Sequence, residues 1–358
     1  MTRTADSLRH PVRSLRQRRD SGNGRAYWFF TSPGLGRPEP TPSAGPDHYG
    51  DREPEWIQVD WREHLRSIDL EGARVNYVEM GEGPALVFVH GLSGSWQNWL
   101  EQVPHFARDH RVLALDLPGF GASPMPPWEI SIPRYGELLD DFCRELNVHS
   151  STLVGNSMGG FISAEASISQ PDWVDKLVLV SAAGITHARM RREPAEVAAR
   201  MAAATAPLAL RFQRGSLRRP RLRWGAFRGV FHAPHRMRPE LLWEQYNGAI
   251  DAPGMVDAVR TLVGYDFTDR LERVTDPTLI VWGRNDRIVP PRDAAGYAKH
   301  LRNSRVAVFD RCGHCPQLER PKRFNRLLGD FIRGEGPELA RTSDVAHSGR
   351  APEADTVE

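Results

Sequence analysis

Leu153-Val154-Gly155-Asn156-Ser157-Met158-Gly159-Gly160 is the stretch that most narrows what this chain can fold into. An apolar run leads into a serine framed by glycine two residues before and two after, and a helix-like segment follows. A strand-to-helix turn that tight brings two backbones together, which is why Gly155 and Gly159 flank it. The serine at the tip takes a strained backbone conformation. The turn lifts its hydroxyl clear of the strand and toward the free N–H groups of the helix start. Five residues alone also fit an ordinary glycine-rich turn, so the rest of the chain decides.

Apolar runs at 85–89, 111–115, 151–156, 176–180, 278–282 and 305–309 read as strands, several of them apolar throughout, as strands buried on both faces are. Arg66–Leu70 and Arg74–Met80 read as a hairpin around Glu71-Gly72. Helical stretches fall between the strands at Trp96–Arg108, Pro133–Val148, Met158–Gln170, Arg292–Leu301 and Lys322–Arg333. This alternation predicts an α/β fold, an eight-stranded, mostly parallel sheet with helices on both faces. Between Val180 and Thr278 the alternation breaks. Residues 185–262 read as mostly helical, for example Ala195–Ala204 and Pro239–Ile250. An insertion there belongs over the carboxyl ends of the strands, where ligands bind, and is expected to form a helical cap. The core is then 55–184 with 263–333.

Residues 1–54 are rich in Arg, Pro, Gly and Ser, and 334–358 are polar; both are expected to be disordered tails. Tyr27-Trp28-Phe29-Phe30 is the apolar cluster of the first, either a docking segment or a stray cluster. No apolar run of about 18 residues predicts a membrane span. Arg18-Arg19 lacks the apolar segment of a twin-arginine signal, so a cytoplasmic location is expected. Net charge is +2 over 358 residues, which selects no nucleic acid. Three cysteines, Cys143, Cys312 and Cys315, indicate no disulfide framework.

A serine nucleophile needs a base, and the base an orienting acid. Asp286 follows the apolar run 279–283, and His314 follows the run ending at Phe309. Both fall at the sheet edge where Ser157 sits, in the order Ser157, Asp286, His314. Asp140, Asp141 and Asp310 are competing acids; the first two lie on a helix before the elbow, and Asp310 is too near His314 in sequence. Two backbone N–H groups are needed to hold an oxyanion. Met158 supplies one, and Leu92, in the loop His90-Gly91-Leu92-Ser93-Gly94, the other, with Ser93 as the alternative.

Together these segments resemble the α/β-hydrolase superfamily over residues 57–333. The match rests on His90-Gly91-Leu92, Asp116-Leu117-Pro118-Gly119-Phe120-Gly121-Ala122-Ser123, Gly155–Gly160, Gly283-Arg284-Asn285-Asp286 and Gly313-His314. The resemblance implies an α/β-hydrolase fold and a serine hydrolase using neither cofactor nor metal. Gly155–Gly160, Cys312-Gly313-His314 and Phe324-Asn325 resemble the C–C bond hydrolases that open meta-cleavage products. Those enzymes carry a Ser-Gly-Pro-Gly type of loop and an aromatic after the histidine; here stand Leu92-Ser93-Gly94-Ser95 and Cys315. That loop is closer to esterases and monoacylglycerol lipases. Serine at the elbow argues against epoxide hydrolases and haloalkane dehalogenases, which use aspartate there.

The expected reaction is cleavage of a small, apolar carboxylic ester through an acyl-enzyme. The alternatives are C–C cleavage, an acyltransferase or haloperoxidase-like activity on the same scaffold, and a non-catalytic receptor, against which the intact Ser/Asp/His set weighs. From Arg211 to Arg238 there are nine arginines and no acidic residue. They are either a solvated helical surface or a weak contact with anionic membranes. Met201–Leu210, Ala-rich and interrupted by Pro207, is expected to line an acyl pocket or pack on the sheet. Cys312-Gly313-His314-Cys315 spells a dithiol motif outside its proper context, at the end of a long α/β chain; a disulfide there would strain the His314 loop.

Overall fold

The fold is given by a computed structural model, which describes Tyr49 and residues 53–335 other than 170–172, 189, 191 and 251. The cluster Tyr27–Phe30 and the tail beyond Glu335 lie outside the described residues. Eight strands form one sheet: β1 Leu65–Leu70, β2 Ala73–Met80, β3 Ala85–Val89, β4 Arg111–Leu115, β5 Ser151–Asn156, β6 Val174–Val180, β7 Thr278–Gly283 and β8 Ser304–Phe309. Their spatial order is β1-β2-β4-β3-β5-β6-β7-β8. β2 runs antiparallel to both β1 and β4, and the rest pair in parallel.

The period of two along each strand divides the core. Val87, Val89, Leu113, Leu115, Leu153, Leu177 and Leu179 face one side. Leu86, Phe88, Val112, Ala114, Val154, Val178 and Val180 face the other. On the first side pack α1 Ile132–Glu145 and α2 Met158–Ser169. α1 starts where the Ser131 hydroxyl accepts the Arg134 N–H, with Pro133 in its first turn.

Between β6 and β7 the chain runs through a short helix, Ile185–Ala188, and four longer ones: α3 Arg192–Ser216, α4 Pro220–Phe227, α5 Pro239–Ile250 and α6 Met255–Leu262. α7 Arg292–His300 and α8 Pro321–Arg333 follow. α6 adds Met255, Val259 and Leu262 to the first core, whereas Leu217, Phe227, Leu241 and Leu242 join the second.

Three local expectations fail. Residues 96–108 are a 3-10 turn, Trp96–Trp99, and a short helix, Val103–Phe106, because Trp96, Trp99 and Val103 all turn into the second core. α3 runs through Pro207; packing against α6, α4 and α5 outweighs the one hydrogen bond that proline removes. Met201 and Leu208, expected in a pocket or on the sheet, are 65% and 76% exposed. No helix among the described residues is long and apolar enough to cross a membrane.

Candidate active site

Parallel pairing brings four strand ends to one edge. Val89 pairs with Gly155, Asn156 with Val180, and Gly283 with Phe309. The loops that follow β3, β5, β7 and β8 carry Leu92, Ser157, Asp286 and His314. Ser157 sits at φ 57°, in the left-handed region, a conformation held because its neighbours over-determine it. Its N–H donates to the Val180 carbonyl at 2.9 Å, and its carbonyl accepts from Phe161 at 3.1 Å and Ala183 at 2.9 Å. A side chain at Gly155 or Gly159 would overlap backbone: the Gly159 carbonyl in one case, the Val89 and His90 carbonyls in the other.

His314 and Asp286 meet. His314 Nδ1 lies 2.8 Å from Asp286 Oδ2. Asp286 Oδ1 accepts the Ile288 and Val289 N–H groups at 2.8 and 3.0 Å. With that oxygen engaged, Oδ2 takes the imidazole N–H, which leaves Nε2 unprotonated. Ser157, Asp286 and His314 are all buried, at 8%, 7% and 5% exposure. Asp310 instead pairs with Arg284, and Asp140 and Asp141 pair with Arg144.

The loop after β3 passes beside the serine: a Cβ on Gly91 would lie 3.0 Å from Ser157 Cβ. Gly94 N–H closes a turn on the Gly91 carbonyl at 2.9 Å, with Ser93 at φ 58°. That turn bond leaves the N–H groups of Leu92 and Ser93 out of it. Met158 opens α2, so its N–H has no carbonyl one turn back. His90 locks the loop. Its Nε2 accepts the Leu117 N–H at 2.9 Å, so Nδ1 carries the proton and donates to the Gly91 carbonyl at 2.7 Å. Burial lowers the pKa of His90 to about 4. Asp116 braces the same region, accepting from Trp96 N–H at 2.7 Å, Asn76 Nδ2 at 2.8 Å and Ala122 N–H at 2.9 Å. Burial still raises it to about 6.

Glu319, which the sequence did not single out, holds the histidine loop from behind. Its Oε1 accepts the Gly313 N–H at 2.7 Å, and its Oε2 accepts the His232 N–H at 2.8 Å, from the α4–α5 connection. His314 N–H donates to the carbonyl of Val230 in the same connection at 2.8 Å. Burial pushes Glu319 up to about 8, against the pull of the His232 and Gly313 N–H groups and the Arg320 charge. Tyr49 packs over this cluster, with Arg320 3.9 Å from its ring centre and His232 stacked at 6.4 Å. Nothing in sequence marks Glu319, since it stands in the mixed stretch Pro316-Gln317-Leu318-Glu319-Arg320.

Cys312 and Cys315 are free thiols, both buried. Cys312 Sγ lies 3.9 Å from Glu319 Oε1, and Cys315 Sγ 4.0 Å from Asn156 Oδ1. Burial pushes both thiols well up, the opposite of a redox pair. The disulfide considered for this loop is not formed.

An eight-stranded sheet of this order, with these loops at one edge, defines an α/β hydrolase. The sequence profile described as "alpha/beta hydrolase fold" matches residues 84–321. The chain belongs to that family and is an enzyme of it. It is similar to a 2-hydroxy-6-oxo-6-phenylhexa-2,4-dienoate hydrolase of Comamonas testosteroni, 29% identical over 285 residues, 74% of this chain and 93% of that one. A 2-hydroxymuconate semialdehyde hydrolase of Pseudomonas sp. (strain CF600) is 30% identical over 292 residues, 75% of this chain and 93% of that one. Among solved structures, a membrane phospholipase A described as a bacterial virulence factor superposes with TM-score 0.61. It is 26% identical, over 75% of this chain and 86% of that one.

Proposed function

We propose that the enzyme cleaves carboxylic esters through an acyl-enzyme, with Ser157 as nucleophile, His314 as base and Asp286 as its orienting acid. The observation that carries the reading is the His314–Asp286 bond at 2.8 Å, in a loop whose His314 carbonyl accepts from Asn156 Nδ2 at 3.4 Å, next to a serine held at φ 57°. Nε2 of His314 takes the Ser157 proton as Oγ attacks the acyl carbonyl. The Leu92 and Met158 N–H groups hold the oxyanion, each worth about 3 kcal/mol in the transition state. The imidazolium protonates the departing alcohol. Water then gives a proton to Nε2, attacks the acyl carbon and releases the acid and the serine. The helices from 185 to 262 form the cap over this edge.

The uncharged side chains around the serine support a neutral, apolar acyl group. The loop that faces the serine carries Leu92 and Ser93, and Ser93 Oγ reaches Met255 Sδ at 2.8 Å. Met158 and Cys315 are uncharged as well. C–C cleavage of a dienoate is the second reading, favoured by the names of the two hydrolase relatives. A dienoate carries a carboxylate, which asks for a cationic partner that these residues do not offer.

Labelling with a fluorophosphonate probe, followed by turnover of p-nitrophenyl esters against a dienoate meta-cleavage product, tests both. The expected result is labelling lost in Ser157→Ala and esters turned over faster than the dienoate. No labelling of the folded protein overturns the serine mechanism; faster dienoate turnover replaces the ester reading with the second.

A further inference from the structure

Helix α3 packs one side against α6, α4 and α5 and leaves an apolar row in solvent. Val197, Met201, Leu208 and Phe212 are 57%, 65%, 76% and 51% exposed. At 100° per residue these positions fall within about 60° of arc, a single narrow stripe. Arg200 and Arg211 fall together on one flank of it and are exposed. Past them, Arg214, Arg218, Arg219 and Arg221 are exposed as well, around the turn from α3 into α4.

Several arginines of the insertion also make contacts within the fold: Arg214 lies 5.7 Å from the Trp243 ring centre and Arg228 4.3 Å from that of Trp224. Arg223 is buried and donates to the Leu217 and His235 carbonyls at 3.0 and 2.7 Å. Arg236 lies over Tyr49, and Arg238 lies 3.6 Å from Glu240. The outward charge therefore gathers at the end of α3, beside Leu208 and Phe212, and no carboxylate occurs from 211 to 238 to neutralise it.

An arginine cluster alone is a solvated surface, and an exposed apolar row alone is a liability. On one helix they match a surface that is anionic outside and apolar just beneath. We infer that α3 and the α3–α4 turn dock on an anionic lipid bilayer, with α3 in the interface plane, its apolar row in the acyl boundary and the arginines on the headgroups. A second copy is a poorer occupant. A parallel two-fold pairing along the row sets the arginine clusters of two chains close together, like charge near like charge, and an antiparallel pairing carries them to opposite ends, where the stretch 211–238 offers them no carboxylate. The docking does not depend on the bond the enzyme cleaves, so it is measured with Ser157→Ala protein as well as wild type.

The test is flotation of the full chain with phosphatidylcholine vesicles, with and without phosphatidylglycerol, at low and high salt. Binding is expected on the anionic vesicles only, and lost at high salt. Arg218→Glu with Arg219→Glu and Arg221→Glu is expected to abolish it. Leu208→Ser with Phe212→Ser is expected to weaken it at least about tenfold. Turnover of a water-soluble short ester and the melting curve should be unchanged in both variants. No flotation, equal flotation on neutral vesicles, or wild-type binding that salt leaves unchanged overturns the inference. So does a dimer, seen by light scattering and dissolved by the Leu208→Ser, Phe212→Ser change, in protein that binds no vesicle.

Discussion

Replacing Glu319 by glutamine should make the protein less stable in acid and more stable in mild alkali. Both carboxyl oxygens are fully buried and each accepts a backbone N–H, from Gly313 at 2.7 Å and His232 at 2.8 Å. Glutamine keeps the shape but turns an NH2 group toward one of those donors. One buried N–H is then left without an acceptor, at about 1–3 kcal/mol. The carboxyl itself has an opposing pH dependence. Its pKa rises from an ordinary 4.5 to about 8 in the fold, because burial penalises the charged form. A raised acid contributes stability that is complete below its unfolded pKa and lost as pH climbs through the folded one. Between about pH 4.5 and pH 8 wild type therefore loses up to about 5 kcal/mol that the glutamine variant never had.

The two effects cross. Near pH 5 wild type should be the more stable by about 1–3 kcal/mol; near pH 8 the order should reverse. The assay is urea unfolding at both pH values, with ester turnover followed in parallel. Because Gly313 precedes His314, turnover of the variant should fall while the fold survives. A gap between wild type and Glu319→Gln that stays the same from pH 5 to pH 8 refutes the reasoning: it would mean that the two N–H donors already keep the carboxylate ionised.

Three further outcomes follow from the same geometry. Asp286→Asn should lower kcat by about 10³–10⁴ with KM little changed, since an amide presented to His314 Nδ1 favours the wrong tautomer; steady-state ester kinetics checks it. Gly159→Ala should destabilise the fold by more than about 3 kcal/mol, as a methyl there has only the Val89 and His90 backbone to displace; the melting temperature reads it. Burial that holds His90 at about 4 should remove about 3 kcal/mol of stability as pH falls from 6.5 to 4, the unfolded chain taking the proton first. Wild type should lose it, and a folded His90→Asn variant should lack that part of the acid limb.

The sheet was readable because strands such as β3 are apolar on both faces and leave no helical reading open. The elbow was readable because Gly155 and Gly159 are demanded by backbone contact, which restricts identity at fixed spacing. Asp286 and His314 were readable because each falls in the loop just past an apolar strand, downstream of the elbow and in the order acid then histidine, a property of position along the chain. Glu319 was not, because its two partners stand 6 and 87 residues away and meet it only through the fold. Helix α3 misled for the reverse reason. Its apolar residues have helical spacing, and spacing alone does not say whether a face meets the protein or leaves it.

The insertion and the His314 loop are joined at one connection, residues 230–232. His314 N–H is held by the Val230 carbonyl, and His232 N–H by Glu319, which also holds Gly313. A displacement of 230–232 breaks the first two of these bonds and unseats Gly313, the residue next to the proposed base. Any opening that admits substrate without disabling His314 must therefore leave this connection in place and move another helix of the insertion. α3 is the helix best placed to do so, since it contributes the exposed row while Val230 and Phe231 pack into the second core. On this argument, a cross-link that pins α3 to α6 should raise KM for long-chain esters and leave kcat for short ones, whereas a break at His232 should lower kcat for both.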